Sequence, residues 1–172
     1  QYKEVFSFPV EDYYKKVGFD FEKEPFHVPG DEFVEYYEDH FHRVDLHDEV
    51  IPVLDRIKES SRSQSILSAG KQEFLIEWIK DHGLADYFIK VLGIDTQYAT
   101  GKTGLGVSWI NEMQYHPEEV IMVVHTIHDS EVAEAMEIDC VLVSNGHVSQ
   151  ERLKTTGRKV VSDLNEFINV LN

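Results

Sequence analysis

The chain has one cysteine, Cys140, among its 172 residues, so no intrachain disulfide can form and nothing calls for an oxidising compartment. Long apolar runs and a signal-peptide pattern are missing as well, which makes a cytoplasmic protein without a membrane partner the expectation. Basic residues are scarce: 16 Lys and Arg stand against 32 Asp and Glu, a formal net charge of −16. So acidic a surface repels nucleic acid and anionic membranes unless a local basic patch intervenes. The two basic clusters, Lys15-Lys16 and Arg152 to Lys159, are short and interrupted and read as solvated helix faces, so nucleic acid is not an expected partner. Repeats and low-complexity segments are absent too. What is present is a 42% hydrophobic composition, enough for one medium domain or for a core with a small inserted cap. Cys140 sits between Asp139 and the apolar run Val141 to Val143, the setting of a buried structural thiol rather than of a nucleophile with a positioned base.

Residues Ile121 to Val143, IMVVHTIHDSEVAEAMEIDCVLV, carry the most information. Parallel strands are buried on both faces and read as unbroken apolar runs, with polar residues just past their carboxyl ends lining the ligand crevice. Ile121 to Val124 is such a run and His125 to Asp129 such an end. Val132, Ala133, Ala135 and Met136 then recur at helical spacing, and Val141 to Val143 opens another buried run. Strand, polar loop, helix and strand form the grammar of a doubly wound α/β fold.

The rest of the chain fits around this unit. Residues 5–19 and 31–42 are aromatic-rich and predict two helices joined through Pro25, Pro29 and Gly30. Residues 47–58 predict a core helix with Val50, Val53, Leu54 and Ile57 on one face and Pro52 tolerated in its first turn. A strand SILS ending at Ser68 follows, then a helix with Phe74, Leu75, Trp78 and Ile79 on one stripe and Gly83 as its stop. YFIKVLG reads as a strand or connector and Val107 to Met113 as part of a helix. Leu164, Phe167, Ile168 and Leu171 define a last helix, with Asp163 and Glu166 spaced as a capping pair.

Three positions in order, Ser68 in SILSAGKQEFL, Lys102 in YATGKTGLG and Asp129 in HTIHD, give the chain a family look. It resembles the haloacid dehalogenase-like superfamily, and most closely its phosphoglycolate phosphatase-like members. The resemblance implies an α/β fold with a mainly parallel Rossmann-like sheet flanked by helices and a small helical cap. The cap would be residues 1–46 and the core residues 47–172. It implies that Ser68 and the backbone after it, from Ala69, hydrogen-bond a phosphate that Lys102 neutralises. Asp129 would match the second of two metal-binding acids, with Val124 and His125 standing where the family has Gly and the first Asp. The implied cofactor is Mg²⁺, weakened or lost because imidazole replaces a hard carboxylate oxygen. The implied activity is hydrolysis of a small phosphate monoester, the small phosphorylated molecule being the partner. The family's nucleophile strand, carrying Asp-x-Asp-x-Thr, is expected before the cap, and no such motif occurs in the 172 residues. The chain is therefore expected to lack its native first strand, to be inactive as it stands, and to leave strand edges that another copy could fill in a homodimer.

Two rival readings rest on the residues alone. His125, His128 and Asp129, or His40, His42 and His47 with Asp45 and Asp48, could ligate a transition metal, which makes a non-catalytic phosphate- or metal-binding protein the alternative; neither set matches a strong zinc spacing. Gly101-Lys102-Thr103 hints at a nucleotide-binding loop, but that loop needs Gly where Thr96 stands.

Overall fold

The computed structural model describes residues 2–40, 43–95 and 101–171. The chain divides into two compact units, one formed by residues 1–8 with 102–172 and the other by residues 9–101. Every strand pairing described is parallel, and helices alternate with the strands, as the α/β reading requires.

In the unit of residues 9–101, helices α2 (Val10–Lys16) and α3 (His27–His40) precede α4 (Val50–Glu59), and strands β1 (Ser65–Lys71) and β2 (Lys90–Ile94) bracket α5 (Gln72–Asp81). The expected helix over 5–19 is interrupted, because Pro9 opens α2 with an extended backbone and residues 6–9 stay outside any helix. Pro29 and Gly30, expected in a connection, lie in the first turn of α3 and are its buried residues. Proline is tolerated there because the first-turn N–H groups have no intrahelical partner. Pro52 falls at the third residue of α4 for the same reason, with Val53 as that helix's buried contact. Strands β1 and β2 pair from Ser65↔Lys90 to Leu67↔Leu92, and the register slips before Lys71↔Ile94. Gln72 spans the slip, its side-chain amide donating to the Val91 carbonyl and its side-chain oxygen accepting from the Gly93 N–H. A Cβ at Gly93 would fall 2.7 Å from Gln72 Cα, so only glycine allows this approach. Gly83 ends the α5 segment at φ +67°, the left-handed stop its position predicts.

The other unit holds α1 (Tyr2–Val5), α6 (Thr103–Glu112), β3 (Ile121–Val124), α7 (Ile127–Ala135), β4 (Asp139–Val143), α8 (Gln150–Lys154), β5 (Lys159–Val161) and α9 (Leu164–Val170). Its sheet runs in the order β3-β4-β5, so β4 is central. The core sits around it: Leu142, Leu153, Val132 and Ala133 are fully buried and Cys140 is 1% exposed. Burial raises the Cys140 thiol pKa, as expected of an inert structural cysteine. Asp163 caps α9 by accepting the Glu166 N–H at 2.9 Å. The Glu166 carboxylate reaches back to the Ser162 N–H at 2.7 Å rather than to that of Asp163. Among the described residues no helix is long and apolar enough to cross a membrane.

Candidate functional site

Strand β3 ends at Val124, and the next five residues change character because the sequence Thr-Ile-His-Asp starts a helix. Thr126 is the N-cap of α7 and Asp129 its third residue, and the two close a reciprocal capping box. The Asp129 N–H donates to Thr126 Oγ1 at 3.1 Å. In return Asp129 Oδ2 accepts from Thr126 Oγ1 at 2.6 Å and from the Thr126 N–H at 3.2 Å. The helix thus starts three residues earlier than a polar loop running to Asp129 would require. Thr126 is a residue the sequence reading missed, although Thr-x-x-Asp before an apolar helix is a capping signature.

The other carboxylate oxygen, Asp129 Oδ1, meets Lys102 Nζ at 2.8 Å. Lys102 stands immediately before α6, and both partners are buried, Lys102 at 9% and Asp129 at 6% exposed. Burial pushes the Asp129 carboxyl up, but the Lys102 ammonium and hydrogen bonds from Lys102 and Thr126 outweigh it and hold the pKa below the usual carboxylate value. Lys102 and Asp129, which the family resemblance assigns separately to phosphate and to metal, are joined here in a direct buried ion pair.

His125, just past β3, is crowded on one side and exposed at its outer edge. A Cβ at Gly146, on the loop after β4, would lie 2.6–2.8 Å from His125 Cδ2, Cβ and Cγ. The His147 ring stands 5.4 Å away, centroid to centroid. Desolvation lowers the His125 pKa against the pull of Asp129, with His147 and Lys102 adding to the lowering, so the imidazole is neutral at pH 7. His147 is lowered by burial and by Lys3. Its Nδ1 is 3.0 Å from the Tyr2 hydroxyl.

The remaining sequence candidates separate. His128 turns to Glu131, Nδ1 to Oε2 3.1 Å, and its ring packs 5.4 Å from Phe8, so His125, His128 and Asp129 do not converge. His128 instead lines a cavity of about 180 Å³ with Phe6, Phe8, Ile127, Val148 and Arg152. Ser68 and Ala69 belong to the unit of residues 9–101 and are half-buried in the irregular stretch of β1, where the Gly70 N–H donates to Ser68 Oγ at 3.0 Å. His40 Nδ1 bonds the Tyr36 carbonyl oxygen at 2.8 Å, a helix-end role. His42 and Thr96 lie outside the described residues.

Magnesium, which the family resemblance implies, does not fit these donors as arranged. It demands several hard oxygen ligands in near-octahedral geometry. Asp129 offers a carboxylate whose two oxygens are already engaged by Lys102 and Thr126, and His125 offers nitrogen. Among the described residues no three His, Cys, Asp or Glu side chains converge.

The sequence matches the haloacid dehalogenase-like hydrolase family over residues 1–143. No curated protein matches it. Among solved structures, the fold is similar to a haloacid dehalogenase-like family hydrolase from Streptococcus pneumoniae, with TM-score 0.78 and 17% identity over 95% of this chain and 77% of that one. A HAD phosphatase from Thermococcus onnurineus gives TM-score 0.62 at 18% identity, covering 94% of this chain and 70% of that one. Protein Tyrosine Kinase A from Mycobacterium tuberculosis gives TM-score 0.74 at 18% identity, covering 99% and 80%. A phosphatase and a kinase on one architecture mean that likeness at this level shows the fold and leaves the reaction to the site residues.

Proposed function

This chain belongs to the haloacid dehalogenase-like hydrolases, and from that membership we propose that it binds a small phosphorylated molecule and that its 172 residues alone do not hydrolyse it. The observation that carries the reading is the buried Lys102–Asp129 pair at 2.8 Å, beside the carboxyl end of β3. Lys102 supplies the positive charge that a phosphoryl oxygen needs, and the family resemblance assigns neutral donors to Ser68 and the backbone from Ala69. Hydrolysis by this family's chemistry needs in addition a carboxylate nucleophile and a proton donor. Neither is offered by an Asp-x-Asp-x-Thr sequence here, and His125 stands in place of the first metal-binding acid. Mg²⁺ binding, which the family resemblance implies, is weakened or lost here, because Asp129 is engaged by Lys102 and Thr126 and His125 offers nitrogen in place of a carboxylate. The phosphoglycolate phosphatase-like resemblance, with residues 1–46 as a cap over a small monoester, belongs to the same proposal. So does a homodimer that covers exposed strand edges, which light scattering at high protein concentration checks: a clean monomer refutes it.

The test is titration with inorganic phosphate followed by ³¹P NMR, alongside hydrolysis of p-nitrophenyl phosphate with and without Mg²⁺. We expect binding that Lys102→Met weakens about tenfold or more, the scale of one charge-assisted hydrogen bond of ~1.5 kcal/mol. No turnover is expected. Mg²⁺-dependent turnover refutes the inactivity, and phosphate binding indifferent to Lys102 refutes the site.

A further inference from the structure

Two parallel strands deliver imidazoles to the same end of one sheet. His125 follows β3 directly and His147 lies in the loop after β4, and these strands are neighbours in register from Ile121↔Asp139 to Val124↔Leu142. The carboxyl ends of parallel strands are where this class of fold binds ligands. Gly146 brings the loop close enough to set the rings 5.4 Å apart with 56° between their planes. Two imidazoles on one tetrahedral ion, with metal–nitrogen bonds of ~2.0–2.1 Å, place their ring centroids roughly 5–6 Å apart. The geometry points to a two-histidine site, His125 with His147, for a borderline transition-metal ion such as Zn²⁺, Ni²⁺ or Cu²⁺.

Three further observations support it. The Tyr2 hydroxyl engages His147 Nδ1 at 3.0 Å. With Nδ1–H donating to the tyrosine oxygen, Nε2 presents its lone pair, and such a hydrogen bond behind a ligand ring fixes both tautomer and orientation. No hydrogen bond to the described residues acts on the His125 ring. His125 and His147 are both exposed residues. Lys102, though paired with Asp129, and Lys3 oppose a cation locally, whereas the net charge of −16 favours one. Water or an anionic ligand would complete the coordination, because no third His, Cys, Asp or Glu converges here among the described residues. This inference shares His125 with the proposed phosphate-binding reading and uses neither Ser68 nor Asp129 as a ligand, and its readout, transition-metal uptake, does not depend on phosphate binding.

The test titrates the full chain with ZnCl₂ and with NiCl₂ by calorimetry, and assigns the first histidine ring resonances to shift by NMR. Wild type should take up one ion at its tightest site, unaffected by millimolar Mg²⁺, with His125 and His147 shifting first. His147→Gln, at an exposed position, and His125→Asn should each weaken that site at least tenfold. His128→Gln, on the neighbouring helix, should leave it unchanged. Unaltered affinity in His147→Gln, or first shifts at His40, His47 or His128, overturns the proposal.

Discussion

Asp129 receives three donors, the Lys102 ammonium, the Thr126 hydroxyl and the Thr126 N–H, and this saturation sets its behaviour. Thr126→Ala removes the N-cap of α7 and one of those donors, so a loss of about 1–2 kcal/mol is expected in urea unfolding, recovered largely by Thr126→Ser. Acid should act in two windows. The His125 and His147 pKa values are lower folded than unfolded, so the unfolded state binds protons first and their contribution, complete above about pH 6.5, falls as pH drops below it. Asp129 is also depressed, so its contribution is complete above about pH 4 and is lost as pH falls through the folded value. Urea midpoints measured from pH 8 to pH 3 should show both declines, and His147→Gln should shrink the first without touching the second. Gly146→Ala should destabilise by about 1–3 kcal/mol, because the new Cβ meets His125 Cβ as well as ring atoms and the imidazole cannot simply swing away.

Neighbouring strands of nearly identical composition have different burial. β4 is central and its last four residues are buried, whereas β3 lies at the edge of its sheet with Val123 36% exposed. Leu142→Ala should therefore cost about 2–5 kcal/mol and Val123→Thr about 0.5 kcal/mol or less, measured by denaturant unfolding. Both strands were legible as apolar runs, but which was central was not, since a run of four or five apolar residues looks the same at an edge. β5 was not legible at all. Its three residues, Lys159–Val161, follow a stretch of basic side chains that reads as a helix face, and the strand exists because β4 offers Val141 to Val143 a second partner ladder. The start of α3 was misplaced for the opposite reason: Pro29 and Gly30 read as breakers by type, and only their position in the first turn makes them helical.

At the scale of the whole chain, the substitution His125→Asp tests whether the family's cation chemistry has been lost by one residue. In a chain that also carries the nucleophile strand, it should strengthen Mg²⁺ binding measured by calorimetry; unchanged affinity would mean that Asp129 is too firmly held by Lys102 and Thr126 to be a ligand. Sequence by itself determined the α/β class, because apolar runs of strand length alternate with amphipathic helices, and composition and periodicity are local properties. It also determined the order Ser68, Lys102, Asp129 and the family that order resembles. Only the tertiary structure decided that Asp129 spends both oxygens on Lys102 and Thr126, that His128 turns away to Glu131, and that His147 comes to face His125. Those pairings join residues that are distant in sequence or depend on rotamer choice, and they are set by how adjacent parallel strands carry their loops to one end of a sheet.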